Sequence, residues 1–523
     1  MIRLTDFSRY ADAQRHFSKQ ALWDLFDGAK DSLNIAHECV DRHVGQGSAG
    51  DVAIRVAHAD GRDELITFTE LSAWSGRVAS DLIQRGIQPG DRVAMMLEPS
   101  LAFYAALFGA MKVGAVAVPL FTLFGPDGLR LRMADCSPAL LLLTPDKREL
   151  AAAAGAPVVI ADQAWLAGVA ALPVRAAIAS RADDMALYQY TSGTTRELPE
   201  AVKHRHRAIV TVAIAALYAT GVRPGEQYMC PSSPAWGHGL WHGTLAPLAL
   251  GVSIAAYAGK FDAERLLQAL ADYRITNLSA AATHYRLMKN SGAAHQHCYA
   301  INKLTFTGEP LDSATAVWAQ GVFGVPVCSI YGTTEVGVIL ANYPGADDLP
   351  VKPGSLGKPV PGVEVAILDS HGQVCAPAVI GEIMLRRGDA WFPTKDLGHR
   401  DDEGYFYHNG RADDVIISAG WTMSAVEIED CLLKHPDVAE CAAIGVPDAT
   451  RGQVVKAYVV SQRAPSDDFV TEIQQFAQQR LSRHEYPRQV AFVAELPKTP
   501  AGKVNRKLLR AGLTSNSQGD GPS

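Results

Sequence analysis

The sequence predicts an α/β fold: a large N-terminal domain of layered α/β subdomains with a small β-barrel-like part, then a small α+β domain. Three observations predict it. Through the first two thirds of the chain, short apolar strands alternate with helix-like stretches of roughly 10–15 residues, the pattern of parallel layers joined by right-handed crossovers. From Gly354 glycine and proline become frequent, and short alternating runs suggest antiparallel strands. After residue 410 the order helix, strand, strand, helix, strand fills the remaining chain.

Taken in order, a helix is expected over 21–40. Thr67 and Glu70 stand at capping-box spacing and open a helix through Leu71, Val78 and Leu82, which Gly86 and Pro89-Gly90 stop. Arg92 to Leu97 reads as a buried strand. Residues 101–121 are almost wholly apolar, but Lys112, Gly109 and Gly114 argue against a membrane span. A buried helix (101–112) turning into a core strand (115–120) fits better. Strands follow at 139–143, 158–160, 185–189, 253–256 and 276–280. Beyond Gly354 the runs 363–368 and 381–385 are strands. A helix (424–434), strands (438–445, 454–461), a helix (468–482) and a strand (488–494) complete the chain. The polar Ser515–Ser523 tail is expected to fray.

With 523 residues the chain exceeds one core, and about three to four folding units are expected. The net charge of −7 supplies no global field toward nucleic acid or acidic lipid. Eight cysteines are scattered without a C-x-x-C pair, which reads as reduced thiols in a cytosol. His295, His297 and Cys298 lie close together, but no second cluster has metal-ligand spacing, so a polar loop is preferred.

The chain is organised around Tyr190-Thr191-Ser192-Gly193-Thr194-Thr195. A strand (185–189) leads into it, and a helix-like segment over 203–220 follows, with Ile209, Val212, Ala216 and Leu217 on one face. A strand feeding a Ser/Thr/Gly loop that opens onto a helix presents backbone N–H groups and hydroxyls to an anion. On spacing alone, a phosphate cradle and a polar turn both stand.

Further segments decide between them: Gly308-Glu309-Pro310-Leu311, Tyr331-Gly332-Thr333-Thr334-Glu335, Thr394-Lys395-Asp396-Leu397-Gly398, Gly410-Arg411-Ala412-Asp413-Asp414, and Pro500-Ala501-Gly502-Lys503-Val504. Six motifs in one order, over nearly the whole chain, resemble the adenylate-forming superfamily, in its acyl-CoA synthetase or acid-CoA ligase branch. The resemblance implies ATP, Mg2+ and coenzyme A as cofactors and a carboxylic acid as substrate. It also implies an N-terminal adenylate-forming domain (1–410) and a mobile C-terminal lid domain with the catalytic lysine (411–523). The acid attacks the α-phosphate of ATP to give an acyl-adenylate and pyrophosphate, and a thiol then displaces AMP. Positioning and cations at developing negative charge lower most of that barrier.

By resemblance, Thr191, Ser192, Gly193, Thr194 and Thr195 cradle phosphate, and Gly308, Glu309, Pro310, Tyr331, Gly332 and Thr333 line the nucleotide and acid sites, with Tyr331 on adenine. Thr334 bonds an α-phosphate oxygen and Glu335 is the magnesium carboxylate, since magnesium takes few carboxylates beside phosphate and water. Asp396 accepts the ribose hydroxyls, its two oxygens matching a vicinal diol. Arg411 joins it. Lys503 bridges substrate carboxylate and α-phosphate, a flexible ammonium suiting a cation that must arrive and leave. Asp413 is the hinge. Gly420 and Trp421 line the pantetheine tunnel. His238 is the gate beside the substrate carboxylate, in an acyl pocket lined by Ser233–Gly239, Ala281–His284 and Thr307–Glu309. Small residues around Trp236 leave room for an aromatic, alicyclic or medium-chain acid.

The phosphate loop departs from the family pattern, continuing Arg196-Glu197-Leu198-Pro199-Glu200 with one inserted residue and an acid where a lysine is usual. Either Arg196 or Lys203 supplies the lost cation, or ATP handling is weakened. Two alternatives therefore stand beside the CoA ligase: an enzyme loading a carrier-protein thiol, and a nucleotide-binding homologue with weakened catalysis. No membrane span and no nucleic acid partner are expected, the location is cytoplasmic, and a homodimer is left open.

Overall fold

Thr67 shows most directly how local sequence sets structure here. Its hydroxyl accepts from the Glu70 N–H at 3.2 Å while the Glu70 carboxylate accepts from the Thr67 N–H at 2.9 Å. The reciprocal cap satisfies two orphan donors and starts the helix Phe68–Gln84. The computed structural model describes residues 3–45, 51–190, 200–333, 336–411, 416–418, 421–423, 425–448, 452–481, 486–498, 504–506, 508–510 and 512. The tail from Ser515 lies outside them. The chain forms two compact units: Met1–Thr307 with Ala319–Pro350 and Val360–Gly362, and Gly308–Trp318 with Val351–Pro359 and Val363–Ser523.

The first unit holds two sheets. One is six-stranded, in the spatial order Val158–Ile160, Leu140–Leu143, Arg92–Met96, Val116–Pro119, Met185–Gln189, Val202–Arg205. All its pairs are parallel except the last. The other runs Asp63–Thr67, Val52–His58, Ser253–Ala258, Gln227–Met229, Asn277–Ala281, Lys303–Thr307, Val327–Thr333, Gly337–Ala341. The pairs from Val52–His58 to Val327–Thr333 are parallel, so both faces need cover and the strands read as apolar runs.

Leu101–Lys112 is the buried helix expected, and every residue from Ala102 to Lys112 is buried. It lies close to Phe68–Gln84: a Cβ on Gly109 would stand 3.0 Å from the Ser75 carbonyl oxygen. Lys112, 1% exposed, is not solvated but paired, its Nζ 2.6 Å from Asp41 Oδ1 and 3.0 Å from the Ser72 carbonyl. No helix among the described residues is long and apolar enough to cross a membrane.

Two expected helices are corrected. In place of one over 21–40 there is a short helix Lys19–Trp23, an irregular stretch, and a second helical segment in which the π-helix His37–Asp41 runs on into Arg42–Gly45. From that second segment the Glu38 carboxylate accepts from the N–H groups of Asp27 (3.1 Å) and Gly28 (2.8 Å), which holds the intervening chain out of the helix. A Cβ at Gly28 would meet the Ser32 carbonyl oxygen at 2.6 Å. The second correction concerns 203–220. Val202–Arg205 is a strand antiparallel to Met185–Gln189, and the helix is Ala208–Tyr218.

In the second unit, the strands Val365–Leu368, Gly381–Arg387, Ala390–Arg400, Phe406–Arg411 and Ser355–Pro359 follow one another across an antiparallel sheet. The C-terminal part is a five-stranded sheet whose centre, Gly452–Val460, pairs with Glu440–Asp448 and Gln489–Phe492. The helices Ala425–Leu432 and Asp467–Arg480 cover it, their buried Ile428, Leu432, Phe469 and Ile473 packing with Val455, Ala457 and Val459.

Candidate active site

In open α/β sheets ligands bind beyond the carboxyl ends of the strands. Four adjacent parallel strands of the first unit end in sequence-predicted segments. Gln227–Met229 leads into Cys230–His238, Asn277–Ala281 into Ala282–His284, and Lys303–Thr307 into Gly308, while Val327–Thr333 itself carries Tyr331, Gly332 and Thr333. Topology thus aligns, on one sheet edge, motifs separated by up to a hundred positions in sequence.

Gly332 is fixed by close approach. Tyr331 pairs with Leu340 and Thr333 with Gly337 across a hairpin, and a Cβ on Gly332 would stand 1.9 Å from the Gly337 carbonyl oxygen. Thr334 and Glu335, in the connection of that hairpin, lie outside the described residues. Gly308 has φ +98°, a conformation costly for any residue with a Cβ, and it leads into Glu309 and Pro310.

His238 opens a π-helical turn, His238–Leu245, of the kind that often marks functional positions. It is 4% exposed, with Ser232 Oγ 3.0 Å from Nδ1 and Ser279 Oγ 2.8 Å from Nε2. A hydroxyl can donate or accept, so either neutral tautomer is satisfied. Burial, then the neighbouring His242 and His284, push its pKa well below the ordinary value. Burial thus favours the neutral ring, and the two hydroxyls hold its plane. Trp236 meets it edge-on at 5.5 Å. The flanking glycines do not create pocket space as expected: a Cβ on Gly239 would lie 2.3 Å from the Ser232 carbonyl oxygen, and one on Gly237 2.8 Å from Gln189 Nε2. Backbone and Gln189 already fill that volume. Gln189 also accepts from Trp241 Nε1 at 3.0 Å.

Thr191, Ser192, Gly193, Thr194 and Thr195, with Arg196 to Pro199, lie outside the described residues. Both sides of that stretch are described. Tyr190, 1% exposed, donates its hydroxyl to Asp135 Oδ2 at 2.6 Å, and the Ala201 N–H donates to the same oxygen at 3.2 Å. Asp135 was not singled out in the sequence, and nothing in its local context marks it, since its partners lie 55 and 66 positions away. The chain returns as a strand, so the expected helix N-terminus directly after the loop is absent and its dipole cannot be invoked. Lys203 stands over the Tyr188 ring at 5.4 Å.

In the second unit, Asp396 and Arg411 are directly opposite in register between Ala390–Arg400 and Phe406–Arg411. On its other side, Ala390–Arg400 pairs Met384 with Pro393 but Glu382 with Leu397, so Thr394–Asp396 bulges out of the ladder. Lys395 takes φ +64° there, a left-handed strain that non-glycine residues carry mainly at functional positions. The Thr394 hydroxyl donates to the Ile383 carbonyl at 2.7 Å, and the Asp396 N–H donates to Thr394 Oγ1 at 3.2 Å. The carboxylate of Asp396, itself 6% exposed, has His408 Nε2 3.7 Å away, a neighbour that sequence reasoning missed. The register partner of His408 is Gly398, and a register shift between Leu397 and Gly398, which no local sequence pattern marks, separates that pair from Asp396 and Arg411.

Ser418 pairs with Trp421, and the two residues between them, Gly420 among them, lie outside the described residues. Asp413 and Lys503 do as well. The stretch containing Lys503 is closed at its base by the bridge between Lys498 and Val504 and by the Asn505 N–H donating to the Pro497 carbonyl at 2.7 Å. Among the described residues, no group of three His, Cys, Asp or Glu side chains forms a metal site, and the eight cysteines are free.

Comparison with known proteins agrees with this layout. A family model described as AMP-binding enzyme matches residues 42–392, and one described as AMP-binding enzyme C-terminal domain matches residues 427–503. An acetyl-coenzyme A synthetase of Bacillus subtilis (strain 168) is 30% identical, over 98% of this chain and 97% of its own. A 3-hydroxybenzoate–CoA ligase of Aromatoleum sp. (strain CIB) is 30% identical, over 92% and 98%. The crystal structure of an anthranilate CoA ligase in complex with anthranoyl-AMP matches with a TM-score of 0.82 at 25% identity, over 93% and 98%. The chain belongs to the AMP-binding enzyme family, in the acyl-CoA ligase branch of the adenylate-forming superfamily. It is an AMP-forming acid–thiol ligase.

Proposed function

We propose that the protein joins an aromatic, alicyclic or medium-chain carboxylic acid to coenzyme A at the expense of ATP. The observation that carries the chemistry is the pairing of Asp396 with Arg411 behind a strained bulge. An aspartate and an arginine at paired register positions of adjacent strands are residue types suited to the hydroxyls and phosphate of a nucleotide. In the first half-reaction a carboxylate oxygen bonds to the α-phosphorus, the bond to the bridging oxygen breaks, and pyrophosphate leaves. In the second, the CoA sulfur bonds to the acyl carbon, and AMP leaves with the electron pair of the broken mixed-anhydride bond. Lys503 is assigned the charge between attacking carboxylate and α-phosphate, Thr334 an α-phosphate oxygen, and residues 191–195 the β- and γ-phosphates. Asp413 is assigned the hinge between domains at 1–410 and 411–523, and Gly420 and Trp421 the pantetheine. Magnesium enters this reading through Glu335, as a companion of the nucleotide.

The acid class is supported by the aromatic surroundings of the acyl segment, Trp236, His238 and His242. It is supported too by the absence of Asp or Lys from Ser233–Gly239 and Ala281–His284, where an amino acid would need a charged partner. Eight free, scattered thiols fit a reducing compartment such as the cytoplasm.

The test is pyrophosphate release with acetate, benzoate, 3-hydroxybenzoate, octanoate and phenylalanine, with and without CoA. Release with benzoate or octanoate and an acyl-CoA product is expected. Release without thioester would instead indicate a carrier-protein acceptor, and no release with any acid a homologue that only binds nucleotide. Lys503→Ala should lower adenylation by about a thousandfold or more, as removal of a preorganised charge at the reacting centre does.

A further inference from the structure

The bridged residues that flank the stretch containing Lys503, Lys498 on one side and Val504 to Arg506 on the other, are tied to the rest of their unit at two points of unequal strength. Lys498 meets Glu440 at 2.8 Å, but both side chains are about 40% exposed, at 40% and 43%, and an exposed pair of this kind holds little. On the other side, three residues beyond Lys503, Arg506 Nη2 donates to both carboxylate oxygens of Glu429, at 2.7 and 2.6 Å. Those side chains are 23% and 13% exposed. Glu429 lies in the helix Ala425–Leu432, whose Ile428 and Leu432 are buried, and its Oε1 also accepts from the Ala443 N–H at 2.7 Å. Leu496 and Leu509, before and after that stretch, are buried with Ile444 and Val454. The apolar contacts hold down Leu496 and Leu509, whereas the directional ion pair fixes Arg506, three positions along the chain from Lys503.

We propose that Glu429 and Arg506 are positioning residues for the catalytic ammonium of Lys503, needed for acyl-adenylate formation and not for thioester formation. The proposal rests on the assignment of Lys503 to the first half-reaction. A lysine that must meet a carboxylate and a phosphate together tolerates little displacement, and a long side chain transmits any rotation of its backbone to its tip. Glu429→Gln keeps an oxygen for the Ala443 N–H and removes the charge that holds Arg506; Arg506→Lys keeps the charge and shortens the reach.

The test measures the two half-reactions separately in the full chain: pyrophosphate release with ATP and benzoate, and benzoyl-CoA formation from supplied benzoyl-adenylate and CoA. Glu429→Gln and Arg506→Met should lower the first about 10- to 100-fold, as displacement of a positioned group by about an ångström does. The second should stay near the parent rate, and Arg506→Lys should recover part of the first. Equal loss in both halves, with a lowered melting temperature, would make the pair merely structural and overturn the proposal. Lys503→Ala runs alongside. If it leaves adenylation intact, the assignment of Lys503 falls and this inference with it. If it abolishes adenylation while Glu429→Gln and Arg506→Met do not slow it, the inference alone falls.

Discussion

Asp396 owes its place to its neighbours: a strained Lys395 backbone, a bulge two residues longer than its partner strand, and a threonine hydroxyl that closes the turn. Asp396→Ala should raise KM for ATP about 10- to 100-fold, the loss expected from hydrogen bonds to a charged group. The acid's KM should move little; steady-state kinetics with each substrate varied checks this, and an unchanged KM for ATP would remove Asp396 from the nucleotide site. At this scale the sequence was informative where a residue's type and its motif agree, as for Asp396 with Arg411, which fell opposite one another. It was uninformative where the partner is remote. Asp135 binds Tyr190 and Ala201 only because the six-stranded sheet brings them together. It misled at Gly237 and Gly239, because a glycine that admits substrate and one that admits backbone are spelled alike.

Among elements, the long apolar ones were the most legible, since a buried strand or helix leaves an unbroken apolar run; Leu101–Lys112 and Val158–Ile160 fall on the expected residues. Val202–Arg205 was hidden because four residues of strand ahead of a strongly apolar helix offer little periodicity of their own. Helix 21–40 is broken in its middle for the opposite reason: one glycine and one capping carboxylate outweigh a helical pattern between its two helical ends. Lys112 illustrates a residue whose presence was legible and whose role was not. Breaking its buried pair by Asp41→Asn should cost about 3–5 kcal/mol, whereas replacing both partners together, Lys112→Met with Asp41→Leu, should cost far less, since no lone charge is left buried. Urea unfolding of both variants measures this; equal costs would mean that the contact is packing rather than charge.

For the molecule as a whole, five histidines of the first unit, His43, His204, His206, His242 and His284, are pushed down to about 4, burial being the largest cause in each. Their ordinary value is 6.5, so between pH 6.5 and 4 the unfolded chain binds protons that the folded one refuses. Stability from these groups is therefore fully present above pH 6.5 and lost as pH falls toward 4. The slope is roughly 1 kcal/mol per pH unit for each imidazole. The urea midpoint should fall steeply from pH 7 to pH 5; a flat profile would mean that these rings take up protons in the folded state.

One carboxylate oxygen of Asp135 holds the residue entering the Thr/Ser/Gly stretch and the residue leaving it. With both feet pinned, the span between them can change length or composition without disturbing the sheet, because loop closure depends only weakly on the number of residues enclosed. The run Arg196 to Glu200 is where such drift would be tolerated, so an added residue and an unusual acid there need not have been matched by any change elsewhere in the chain.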